Sequence, residues 1–145
     1  MTRRVLACIV ALGALLAPGA TRADVSRFRP VDVWLDSGGQ PLAAYQVEIT
    51  AGPDAAIVGV EGGAGAFAEP PHYDPAALRG GRIILAAFTT TAGAPQRRTR
   101  VATLHMRESG DAQPSYRAVV MVAAAPDGRR IPASVELVPR QGDPR

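Results

Sequence analysis

Val31-Asp-Val-Trp-Leu-Asp-Ser-Gly-Gly-Gln-Pro-Leu-Ala-Ala-Tyr-Gln-Val-Glu-Ile49 decides the fold class. Its first six residues put Val31, Val33 and Leu35 on one side of an extended chain, with Asp32, Trp34 and Asp36 on the other. Its last five repeat the alternation, with Tyr45, Val47 and Ile49 against Gln46 and Glu48. A period of two suits a strand with one side in a core and the other toward water. Asp36-Ser-Gly-Gly-Gln-Pro41, between the two runs, is a cluster of turn-forming residues.

The same grammar continues outward. Ile57 to Val60 is a short apolar run closed by Glu61-Gly62-Gly63. Arg82 to Thr90 is apolar on both sides, which predicts a central strand covered twice. Ala102, Leu104 and Met106 alternate with Thr103, His105 and Arg107, and Tyr116–Ala124 and Ala133–Val138 complete the series. Pro126-Asp127-Gly128 reads as a hairpin turn between the last two. One stretch reads as helical: Asp74 caps a turn that has Pro75 first, then Ala76-Ala77-Leu78 and Gly80. That turn lies in a long excursion between Gly62 and Gly81. Seven short strands without intervening helices predict an all-β, antiparallel two-sheet sandwich of jelly-roll type, one domain over 24–140. Asp24–Pro30 and the tail 141–145 read as loose ends.

The first 23 residues read as an export signal. Arg3 and Arg4 precede an apolar run from Val5 to Ala17, Pro18-Gly19 breaks it, and Thr21-Arg22-Ala23 offers a cleavage site before Asp24. The run is shorter than the roughly 20 residues a membrane-spanning helix needs. Cys8, the single cysteine, leaves with this segment and reads as a small hydrophobe within it. The expected product is a soluble periplasmic or extracellular domain without disulfides. Of the 145 residues, 16 are basic, all arginine, and 13 acidic. The surplus (Arg3, Arg4 and Arg22) goes with the signal, so the rest of the chain is neutral and nucleic acid is not an expected partner.

Candidate chemistry is sparse. Two histidines exclude a three-histidine zinc site, and neither belongs to an H-E-x-x-H pair. A G-x-S-x-G elbow is absent from the sequence. Gly63-Ala-Gly65-Ala-Phe-Ala68 imitates a dinucleotide fingerprint, but Glu69-Pro70-Pro71 follows where a helix is required, so a flexible loop is expected. No cofactor or metal is called for. Glu69, His72 and Asp74 are close enough in sequence for a small cation or acid-base site, or for a plain polar loop in which Asp74 caps a turn. Tyr73 lies among them and counts with Glu69 and His72 as a binding candidate. His105 is expected to be solvated or at a rim, and Arg97-Arg98-Thr-Arg100 to be a solvated basic loop. Trp34, if the valines of its strand face the core, points outward between two carboxylates. It is either a stacking platform for a sugar or protein partner, or covered by the segment around Phe28 or by a loop.

Four segments in order resemble the cohesin-like modules of the carbohydrate-binding-module superfamily. They are Val31–Ile49 as quoted, Ile57-Val-Gly-Val-Glu61, Gly81-Arg-Ile-Ile-Leu-Ala-Ala-Phe88 and Arg100-Val-Ala-Thr-Leu-His-Met106. The resemblance covers about 31 to 138 and implies a jelly-roll-like sandwich that makes extracellular protein–protein or carbohydrate contacts without catalysis. A dockerin-type repeated calcium loop has no counterpart in this chain, and no partner-binding residue is carried over. The leading expectation is therefore a non-catalytic binding module for a protein or glycan. It would use the sheet face bearing Trp34, Gln46 and Glu48, or the excursion with Glu69, His72 and Tyr73. A structural subunit that offers a strand edge to a neighbour is the alternative, and an enzyme built on Glu69, His72 and Asp74 ranks third.

Overall fold

Seven strands form where the alternation places them: β1 (Ser26–Asp36), β2 (Ala44–Ala51), β3 (Ala55–Gly62), β4 (Arg82–Phe88), β5 (Thr99–Ser109), β6 (Tyr116–Ala124) and β7 (Ser134–Pro139). The computed structural model describes residues 25–111 and 113–141. The export-signal reading of 1–23, and all of the expected tail except Gln141, lie outside the described residues. Two sheets result, one of four strands in the order β3-β5-β1-β7 and one of three in the order β4-β2-β6. Every pairing is antiparallel. The molecule is thus the expected all-β two-sheet sandwich. Among the described residues the only helical pieces are two single 3-10 turns, Gly65–Phe67 and Pro75–Ala77. No helix there is long and apolar enough to cross a membrane.

The core lies where the alternating apolar residues meet. Val31, Val33 and Leu35 of β1, Ile57 of β3, and Leu104 and Met106 of β5 pack toward Tyr45, Val47 and Ile49 of β2 and Ile83 and Leu85 of β4. Burying each such side chain contributes about 1.5–3 kcal/mol relative to exposure. The buried Tyr45 hydroxyl donates to the Val101 carbonyl across the sandwich at 3.1 Å, so the one polar atom of that side chain is satisfied. The Asp74 cap also forms as expected, its Oδ1 accepting from the Ala76 N–H at 2.9 Å.

Four expectations are corrected. Ser26–Pro30 is no loose end but the first half of β1, paired from Ser26↔Ser109 to Pro30↔His105. Arg27 and Arg29 turn toward buried Glu108, so charge pairing replaces the apolar signal that hydropathy would detect. Secondly, β4 is an edge strand and not a central one. Its free edge is met by His72, whose N–H donates to the Ala86 carbonyl at 2.7 Å and whose carbonyl accepts from Ala86 N–H at 2.9 Å. Thirdly, Pro126-Asp-Gly128 makes the expected turn, with Ala125 N–H donating to Arg129 O at 2.9 Å. Yet β6 and β7 belong to different sheets. Pairing stops after the Ile131 N–H reaches Ala123 O, because Pro132 has no N–H to continue the ladder. Finally, the Gly63–Ala68 stretch is not a free loop: Phe67 is buried and meets the Tyr45 ring edge-on, centroids 5.2 Å apart.

Candidate functional site

Trp34 lies on the outer side of the four-stranded sheet, opposite Glu136 of β7 and Arg100 of β5. The chain between β4 and β5 lays the Arg98 guanidinium over its ring, 4.2 Å from the centroid, and Glu136 Oε2 accepts from Arg98 Nη2 at 2.7 Å. Trp34 is therefore half-buried and covered by a loop arginine. Phe28, the other proposed cover, is instead 69% exposed. Of the Arg97-Arg98-Thr-Arg100 cluster, Arg97 and Arg98 are exposed in the loop before β5 as expected, and Arg100 departs from that reading. Arg100 sits in β5, donates to the Gly63 carbonyl at 3.0 Å and lies 3.6 Å from Asp32.

Asp32 is the hub of this face. It accepts from Thr103 Oγ1 at 2.8 Å and from Arg140 Nε and Nη2 at 2.9 and 2.7 Å. Burial alone would raise the pKa of this carboxyl. Hydrogen bonds from Arg140 and Thr103, with the charges of Arg140 and Arg100, outweigh burial and hold it below the ordinary carboxylate value. Such a carboxylate, locked in its ionised form with its lone pairs engaged, is a structural anchor and a poor proton acceptor for catalysis. His105 Nε2 stands 3.0 Å from Glu61 Oε1 on the same face. A folded-state pKa below the unfolded one means the stabilisation is present above the unfolded value, near about pH 4, and is lost as pH falls through the folded value. The melting-temperature gap between wild type and Asp32→Asn is accordingly expected to stay constant from neutral pH down to about pH 5 and to close at lower pH. A gap that persists to pH 2 would contradict this account.

Gln46 and Glu48 are not beside Trp34. They lie on the outer side of the three-stranded sheet, the opposite face of the sandwich. The segment from Ser37 to Ala43 carries the chain from one sheet to the other. The core-facing residues of β1 and β2 therefore meet, while their outward residues point in opposite directions. Glu48 there pairs with Arg82 of β4. Around them the face is apolar: Ile84, Ala86 and Phe88 from β4 are in register with Glu48, Gln46 and Ala44, and Val119 and Val122 from β6 flank β2 on its other side. Phe88 is 79% exposed, and Val119 and Met121 are each 43% exposed.

Two hollows adjoin Phe88. One, of about 220 Å³, is lined by Ala66, Phe67, Glu69, Pro70 and His72 with Ala86 and Ala87. The other, of about 480 Å³, runs past Ala44 and Thr89 to Ala124 and Pro126. Glu69 and His72 are thus brought next to Phe88, whereas Tyr73 packs half-buried against the core and Asp74 is occupied as a cap. Among the described residues no three His, Cys, Asp or Glu side chains group as a metal set. Sequence reasoning missed Phe88, Val119 and Met121. The signal for Phe88 lies in the doubly apolar 82–90 run, one of whose faces is open, and that for Val119 and Met121 in the continuous apolar run of β6. Compared with protein-family models, curated proteins and solved structures, the chain matches none.

Proposed function

We propose that this protein is an exported, non-catalytic β-sandwich that docks a protein partner on the outer face of β4-β2-β6, with Phe88 as its anchor. The observation that carries this reading is an aromatic ring 79% exposed between two hollows on an apolar sheet face. Interfaces draw most of their affinity from such anchors, with polar groups at the rim setting register. Arg82 lies at one end of this face, and Gln46 and Glu48 on its central strand supply further polar groups that set register. A monomer gains nothing from leaving a large apolar side chain in water beside further apolar surface. A protein is favoured over a glycan because the Trp34 ring, the natural sugar platform, lies under Arg98. Strand-edge assembly is the second reading: His72 meets the edge of β4 and Arg79 and Gly80 hydrogen-bond Ile57 on the edge of β3, which leaves β6 and β7 as the other edge strands. The likeness to cohesin-like modules points toward the same kind of work, extracellular contact without turnover.

The test captures partners from envelope extract, isolates the dominant one and measures its affinity for wild type and Phe88→Asp, with a glycan array in parallel. A hot-spot anchor predicts a loss of about 30-fold or more, roughly 2 kcal/mol. The melting temperature of Phe88→Asp is expected to stay at the wild-type value, since the side chain leaves no core contact behind. A glycan as sole ligand, or a partner indifferent to Phe88→Asp, would remove the proposal.

A further inference from the structure

At the end of the sandwich where β2 turns into β3, a polar cleft of about 320 Å³ opens between Asp54, Ala56, Arg79, Gly80, Arg107 and Ser109, among others. Arg79 is the one non-glycine residue among the described residues with a left-handed backbone, at φ 71°. That conformation costs free energy in any residue with a Cβ, and glycine would adopt it freely. Two backbone hydrogen bonds hold it there: Arg79 N–H donates to the Ile57 carbonyl at 2.6 Å, and Ile57 N–H donates to the Gly80 carbonyl at 2.9 Å. Glycine at position 79 would make both. The backbone therefore gives no reason for arginine, and strain maintained at a cleft points to the side chain.

Arg107 approaches the same cleft from β5, where Ala56 is its register partner. Arg29, Arg82, Arg98, Arg100 and Arg140 each reach a carboxylate. Among the described residues Arg79 and Arg107, like Arg97, Arg117 and Arg130, form no ion pair, and Asp54 lines the cleft without pairing with either. Arg79 and Arg107 both line this hollow, and an oxyanion is the ligand that accepts the paired N–H donors of a guanidinium group. A carboxylate beside them suits a hydroxyl donor on the same ligand.

We propose that this cleft is a binding site, separate from the Phe88 face, for a small hydroxyl-bearing phosphate or sulfate ester, held by Arg79 and Arg107 and oriented by Asp54. The test is an NMR titration of the whole chain with glycerol 3-phosphate, glycerol and inorganic phosphate, on wild type, Arg79→Gly and Arg107→Gln. Glycerol 3-phosphate is expected to shift amides at 52–56, 79–81 and 107–109, and to bind about tenfold or more tighter than either fragment. Arg79→Gly separates the site from the fold. It should keep or raise the melting temperature, because strain is relieved, while weakening binding about tenfold, and Arg107→Gln should weaken it similarly. The proposal falls if none of the three probes binds, if glycerol binds as well as its phosphate, or if Arg79→Gly binds like wild type.

Discussion

Gly63→Ala is expected to lower the melting temperature by at least about 10 °C, or to prevent folding, when followed by far-UV circular dichroism. A Cβ at Gly63 would lie 2.1 Å from the Arg100 carbonyl oxygen and 2.6 Å from the carbonyl carbons of Arg100 and Val101. These are backbone atoms of β5, a strand hydrogen-bonded on both sides, so no flexible side chain can swing away. Relief would require breaking Gly63 N–H to Phe67 O and Ala64 N–H to Arg100 O, at 2.7 and 2.9 Å. Those bonds seat Phe67 against Tyr45. Ordinary overpacking costs about 1–3 kcal/mol, and loosening a buried aromatic adds to it, so about 3–5 kcal/mol is expected. Gly93→Ala is the control: its φ is 89°, but nothing lies within 4 Å of the new methyl group. Only the backbone conformation is then penalised, at about 1 kcal/mol. If Gly63→Ala melts no lower than Gly93→Ala, the close approach does not constrain the fold.

Glu108→Ala is expected to cost about 2–4 kcal/mol. Glu108 is completely buried between the sheets, where its Oε1 accepts from the Tyr116 hydroxyl and lies 3.3 Å from Arg29 Nε. Its Oε2 lies 3.7 Å from Arg27 Nη2. The single carboxylate thus ties the opening of β1 to β5 and reaches across to β6. Removing it leaves a tyrosine hydroxyl and an arginine without their acceptor inside the sandwich. The loss stays below that of a fully enclosed ion pair because both arginines keep partial access to water. Tyr116 gives a second reading of the same contact. Burial, then the hydrogen bond and charge of Glu108, push its ionisation well above the ordinary tyrosine value. Glu108→Ala should bring that ionisation down, seen as an earlier rise in absorbance on alkaline titration. Unchanged melting together with an unchanged tyrosine titration would show that the contact contributes nothing.

Both predictions concern places where sequence reading stopped short. Ser26–Pro30 looked like a loose end because its inward residues are arginines, and only the buried partner, 79 residues further along at Glu108, makes that pattern a strand. Gly62-Gly63 was read as the end of a strand and the start of a flexible loop. Gly62 needs glycine because of the Ala68 backbone and Gly63 because of Arg100, which no local pattern connects to it. The candidate site divided in the same way. Trp34, Gln46 and Glu48 were correctly placed on outward strand faces, and Glu69 and His72 do border the proposed docking face. Phe88, the anchor at the end of edge strand β4, reads from the sequence as one more member of a covered strand.

What the sequence by itself determined is the set of strands, their inward sides and hence a two-layered antiparallel protein. Alternation is a local property, and the burial of one side of each strand follows from it directly. Only the tertiary structure decided which strand joins which sheet. That choice put Trp34 and Glu48 on opposite sides of the molecule, brought Arg140 to Asp32 across 108 positions and left Phe88 uncovered. Pairing between distant strands depends on closing one shared core with every backbone ladder satisfied, and a repeat of two residues carries no information about that.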